Sequence, residues 1–131
     1  MTDEEKKLYQ DTFDKVWTAI NEQKKPSKKY VQRASGNGAD LLCAYRGCNG
    51  YKCAIGHLIP DSEYYTALEG ESLLAVTQAV PTLKSFKGDV TFLRDLQNAH
   101  DGASETFAFL GTFKMKMHAI ANTWGLTVPS T

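Results

Sequence analysis

No apolar run in this chain approaches the roughly 20 residues needed to span a bilayer. The first ten residues are polar and acidic, with no apolar segment behind them, so neither a membrane span nor a secretory leader is expected. Net charge is absent as well. The 15 basic and 15 acidic side chains cancel, which argues against a whole-surface electrostatic grip on nucleic acid or anionic lipid. Cysteine is scarce and odd in number, at three. A complete intrachain disulfide framework is excluded, and a reducing cytoplasm is the expected compartment. The chain also lacks a glycine-rich phosphate loop, an H-E-x-x-H pair, a paired-carboxylate arrangement, an internal repeat and a low-complexity linker. Its 131 residues suit a single domain over 1–131, which buries about two thirds of its unfolded surface and needs no metal or disulfide to fold.

The remaining pattern is mostly helical. Thr2 and Glu5 make a T-x-x-E capping box, and Tyr9, Phe13, Val16, Trp17 and Ile20 recur on one face until Pro26 stops the helix. A second helix is expected over 71–80, ending before Pro81. A third carries Phe92, Leu93 and Leu96, with Asp89 as its cap and Asp101-Gly102 as its stop. A fourth starts at Ser104 and runs through Leu110, Phe113, Met117, Ile120 and Trp124 to Gly125. Between the first and second helices lie two short runs, LLCAYR and YKCAI, around Gly47-Cys48-Asn49-Gly50. Asn-Gly between apolar runs is a strong hairpin signal because both residues tolerate positive φ. The expected fold class is therefore α+β, about four helices packed on one small antiparallel β-hairpin. Charge is segregated locally: Lys24, Lys25, Lys28, Lys29 and Arg33 form a basic run, and Asp61, Glu63, Glu69 and Glu71 an acidic one. Such runs are usually solvated faces.

Candidate chemistry gathers at the hairpin. Cys43, Cys48, Cys53 and His57 have the spacing C-x4-C-x4-C-x3-H, and three thiolates with an imidazole can satisfy tetrahedral zinc. The bland alternative is that the cysteines are small buried hydrophobes. A three-residue Cys48-Asn49-Gly50 loop sets Gly47 opposite Tyr51 and places Cys43 and Cys53 on one face. A two-residue Asn49-Gly50 turn separates them. A second chemistry is nucleophilic: Cys53 at a helix start would have a lowered pKa, with His57, or His100 beside Asp101, as base. His100 can equally close its helix against the core, and His118 falls on the polar side of the last helix.

The segment Asn49-Gly50-Tyr51-Lys52-Cys53 with His57 resembles the second half of a CCCH zinc finger. That resemblance implies zinc as cofactor and single-stranded RNA as partner, with Tyr45 and Tyr51 stacking on bases and Arg46 and Lys52 meeting phosphate. More broadly, Cys43-Ala44-Tyr45-Arg46-Gly47, Gly50-Tyr51-Lys52-Cys53-Ala54-Ile55-Gly56, Leu58-Ile59-Pro60-Asp61, Tyr64 and Glu69-Gly70 resemble a group of small uncharacterised proteins of bacteria and tailed phages. Leu93-Arg94-Asp95-Leu96-Gln97 with His100-Asp101 looks like that group's second block. In that group the turn usually lacks Cys48, and position 57 is usually not histidine. That group has no established activity, and the function expected here is that of a non-catalytic, cytoplasmic phage or bacterial accessory protein that binds a host macromolecule, a protein before RNA. The hairpin and the 60–71 loop would form the binding edge, with Tyr45, Tyr51, Tyr64 and Tyr65 as anchors.

Overall fold

The computed structural model describes residues 1–32 and 39–129; the side chains of residues 29–43 and 48 lie outside that description. Helix α1, Asp3–Gln23, starts at the Thr2–Glu5 capping box, with Glu5 N–H donating to Thr2 Oγ1 at 3.1 Å. It ends on Lys24 in the left-handed region (φ 64°), whose N–H donates to the Ile20 carbonyl. Strands β1, Lys28–Gln32, and β2, Ala39–Cys43, pair antiparallel with Lys28 opposite Cys43. Helices α2, Leu73–Ala79, α3, Thr91–Ser104, and α4, Phe109–Trp124, follow.

The core is made by helices. Phe13, Val16 and Ile20 of α1, Phe92, Leu93 and Leu96 of α3, and Phe113 and Met117 of α4 are fully or almost fully removed from solvent. Tyr9 stacks on Phe92 at 4.5 Å and meets Trp124 edge-on at 5.6 Å. The Trp124 indole N–H is satisfied by Asp95 Oδ2 at 2.9 Å. Among the described residues, no helix is long and apolar enough to cross a membrane.

The α+β expectation is overturned. The predicted hairpin does not form, because Leu41–Cys43 belongs to β2 and pairs with the upstream residues Lys28–Tyr30, not with Tyr51–Ile55. Ala44 prolongs that upstream pairing by donating its N–H to the Ser27 carbonyl at 3.2 Å. The turn at Cys48–Gly50 is real, with Asn49 at φ 61° and Gly50 at φ 76°, and the Gly47 N–H donates to the Tyr51 carbonyl. Only one bridge follows it, Arg46 opposite Lys52. Beyond it the chain coils inward: Cys53, Ala54 and Ile55 are fully buried, and Gly56–Leu58 makes a 3-10 turn. The molecule is thus a helical fold with a small two-stranded ribbon after α1.

Three helix boundaries also differ from expectation. α3 runs through Asp101-Gly102 to Ser104, and α4 begins at Phe109 without a side-chain cap, so Ser104 closes one helix and does not open the next. Gly102 sits inside the helix, where a Cβ would lie 3.2 Å from the flexible end of the Lys116 side chain of α4. The N-cap of α3 is Val90, with Asp89 Oδ1 accepting from the Thr91 N–H.

Candidate functional site

Residues 44–71 contain only short 3-10 turns, yet side chains hold them firmly. Ser27, fully buried, is one anchor: its hydroxyl donates to the Ala44 carbonyl at 2.7 Å and lies 3.1 Å from that of Tyr51. Glu69 is another. Its carboxylate accepts the N–H groups of Tyr45 and Arg46, both at 3.0 Å, and the Tyr64 hydroxyl at 2.6 Å. Charge-assisted bonds of this kind are among the stronger ones in proteins. Arg46 donates to Asp61 at 2.7 Å and to the Ile59 carbonyl at 3.0 Å, and its guanidinium sits 4.3 Å over the Tyr64 ring. Two glycines permit the close approach. A Cβ on Gly56 would stand 1.9 Å from the Tyr45 carbonyl oxygen, and one on Gly47 2.5 Å from that of Lys28.

Helix α3 supplies the second wall. Gln97 Oε1 accepts the Ile55 N–H at 3.0 Å, and its amide donates to Asp101 Oδ1 at 2.9 Å. His100 is fully buried, with Nδ1 2.9 Å from Asp101 Oδ1 and Nε2 2.9 Å from the Ser27 backbone nitrogen. The Ser27 N–H can only donate, so Nε2 accepts and the ring proton sits on Nδ1, pointing at Asp101. Ser27, His100 and Asp101 thus line up as a triad would, but the atom on Nε2 is an amide, while the serine hydroxyl faces two carbonyls. The imidazole is already occupied and works as a strut.

Cys53 is equally committed. Its sulfur accepts the Gly56 N–H at 3.3 Å, and burial pushes its pKa up to about 12, so the thiolate is not formed near neutral pH. His57 Nε2 lies 3.0 Å from Gln23 Oε1, and burial, helped by the nearby Lys52 charge, brings its pKa down to about 4. The Cys43 and Cys48 side chains, the other two expected zinc ligands, lie outside the described residues. Among the described residues, no group of three or more His, Cys, Asp or Glu side chains is placed to hold a metal.

Of the expected contact residues, Tyr51 and Lys52 are half-buried, and Lys52 Nζ is 3.7 Å from Asp61. Tyr65 is 49% exposed. Tyr64 turns inward against the core, and burial and its bond to Glu69 raise its pKa to about 12. Tyr45 borders a pocket of about 200 Å³ that it shares with Ala44, Glu69, Gly70, Glu71, Gln97 and Asp101. Burial, reinforced by negative groups including Glu69, Asp101 and Glu71, pushes the Tyr45 phenol up to about 12, and its hydroxyl lies 3.3 Å from the Glu71 carbonyl. The pocket joins the two sequence blocks, 43–70 and 93–101, which share no obvious pattern. Ser27, Glu69 and Gln97 carry no signal as site residues in the sequence, since a lone polar residue has no periodicity and its role depends on what folds onto it. Comparison with known protein families, curated proteins and solved structures finds no match.

Proposed function

We propose that this chain is a non-catalytic phage or bacterial accessory protein. It would bind a protein in the host cytoplasm by admitting one lysine or arginine side chain into the pocket between Tyr45, Glu71 and Asp101. The observation behind this reading is the pocket's composition: three carboxylates, from Glu69, Glu71 and Asp101, border it, and none of the described residues that line it is cationic. A bound ammonium or guanidinium would find oxygens already fixed by Gln97, His100 and the Tyr45 and Arg46 amides, and such preorganisation lowers the cost of binding. Two competing readings have less support. The thiol-enzyme reading would need a thiolate at Cys53 and a free nitrogen on His100. The RNA-binding reading would need Arg46 and Lys52 for phosphate, and both face Asp61.

The test is an NMR titration with N-acetyl-arginine-methylamide and its lysine counterpart, with N-acetyl-glutamate-methylamide as control. A single side chain should bind with a Kd of roughly 1 mM. The amide signals of Tyr45, Gly70 and Gln97 should move with either cation, and Glu71→Gln should weaken the response severalfold. Glu71 is exposed, and among the described residues only its backbone is hydrogen-bonded, so that variant leaves the fold intact. Equal shifts with the glutamate control, or none with the cations, would refute the reading.

A further inference from the structure

Among the described residues, and apart from Met1, the large hydrophobic side chains that remain exposed fall into two pairs. Phe107 lies just before α4 and Met115 is exposed on it, while Tyr65 precedes α2 and Leu74 is in its first turn. The surroundings of the two pairs are opposite in charge. From Thr106 to the last residue there is no acid, while Lys114, Lys116 and His118 flank Met115. From Asp61 to Val80 there is no base, and although Asp61 is already paired with Arg46 and Lys52, Glu63, Glu69 and Glu71 flank Tyr65 in sequence and precede Leu74. Neither Lys114 nor Lys116 has an ion pair among the described residues.

Gly111 adds a separate observation. It occupies the first turn of α4 between Phe107 and Met115 on the exposed face, and a Cβ there would meet nothing within 4 Å. Glycine is a poor helix former, and nothing among the described residues requires it at this position. A bare backbone flanked by Phe107 and Met115 suits the approach of another chain.

From these observations we infer that the outer face of α4 docks a second copy of this chain, through that copy's acidic segment bearing Tyr65 and Leu74. The contact is heterologous, basic face to acidic face, and leaves one unused face at each end of a dimer. The net charge of zero removes the long-range repulsion that would oppose it.

The test is sedimentation velocity of the full chain between about 10 µM and about 1 mM, where weak contacts populate. The wild type should form dimers and longer species as concentration rises, and ionic strength of about 0.5 M should weaken them severalfold because screening shortens to about 4 Å. The doubly substituted Phe107→Glu, Met115→Glu chain should stay monomeric, as should Tyr65→Lys, Leu74→Lys. An equimolar mixture of the two should restore a one-to-one dimer that grows no further, since each retains the face the other lacks. Circular dichroism confirms that each variant is folded. A wild type that stays monomeric throughout, variants that still self-associate, or a mixture that stays monomeric would each overturn the inference.

Discussion

Replacing Gly56 by alanine tests whether the 44–71 segment is held as tightly as its hydrogen bonds suggest. The added methyl carbon would stand 1.9 Å from the Tyr45 carbonyl oxygen and 2.9 Å from its carbon, so the Tyr45 peptide must retreat by about 1.5 Å to reach the 3.4 Å of an ordinary contact. The obstacle is backbone, which cannot swing aside as a flexible side chain would. Tyr45 and the adjacent Arg46 both donate their N–H groups to Glu69, so the retreat strains two charge-assisted bonds worth about 1.5–3 kcal/mol each. Overpacking alone costs about 1–3 kcal/mol. Because the two effects share one displacement they do not add fully, and about 3–4 kcal/mol is the expected loss. With a urea m-value of roughly 1.5–2 kcal/mol/M, the unfolding midpoint should fall by about 2 M. Gly111→Ala is the internal control: with open space around the new methyl, its midpoint should stay level or rise. A fall below about 0.5 M for Gly56→Ala, on that same m-value scale, would mean that the 44–56 backbone yields easily, and the argument for a preorganised pocket would fail with it.

Cys53 should resist iodoacetamide in the native protein near neutral pH and react only as fast as the chain unfolds, because its thiol is buried and held neutral. Rapid native labelling, followed by mass spectrometry, would contradict that placement. His57 should make stability fall in mild acid. Its folded pKa of about 4 lies below its ordinary 6.5, so the unfolded chain binds the extra proton between those values. The stabilisation is complete above pH 6.5 and is lost as pH drops toward 4. Discounted for partial exposure, the loss is about 1–2 kcal/mol. Chemical denaturation across that window should show a shallower slope for His57→Gln, and an unchanged slope would refute the assignment.

The helices were legible because their information is local. The Thr2–Glu5 box and the Tyr9-to-Ile20 stripe lie within one element, and so does the Phe113-to-Trp124 stripe with Gly125 in the left-handed region (φ 67°). The strand pairing was not, because Asn49-Gly50 specifies a turn and not the length of the ladder around it. Lys28–Gln32 outbid Tyr51–Ile55 for the edge of Leu41–Cys43, and the lysines at its start made it read as a charged surface run. Asp101-Gly102 reads as a stop, yet α3 continues through both residues to Ser104. The site was half legible. Tyr45 and Asp101 stand out in the sequence, but the pocket they line depends on Glu69 and Gln97, which meet only when α3 closes on the 44–71 segment.

The bond between the Ser27 amide and His100 Nε2 spans 73 residues of sequence. The α3–α4 pair, by contrast, is joined by the four residues from Glu105 to Ala108. Local helix contacts close at small entropic cost, whereas a loop of that length must already be restrained before one buried hydrogen bond can hold it. The Ser27–His100 tie therefore belongs to the late, native side of the folding barrier. It acts as a latch on unfolding and does little to guide the chain in, so the lifetime of the assembled pocket is set by an interaction that contributes little to how fast it forms.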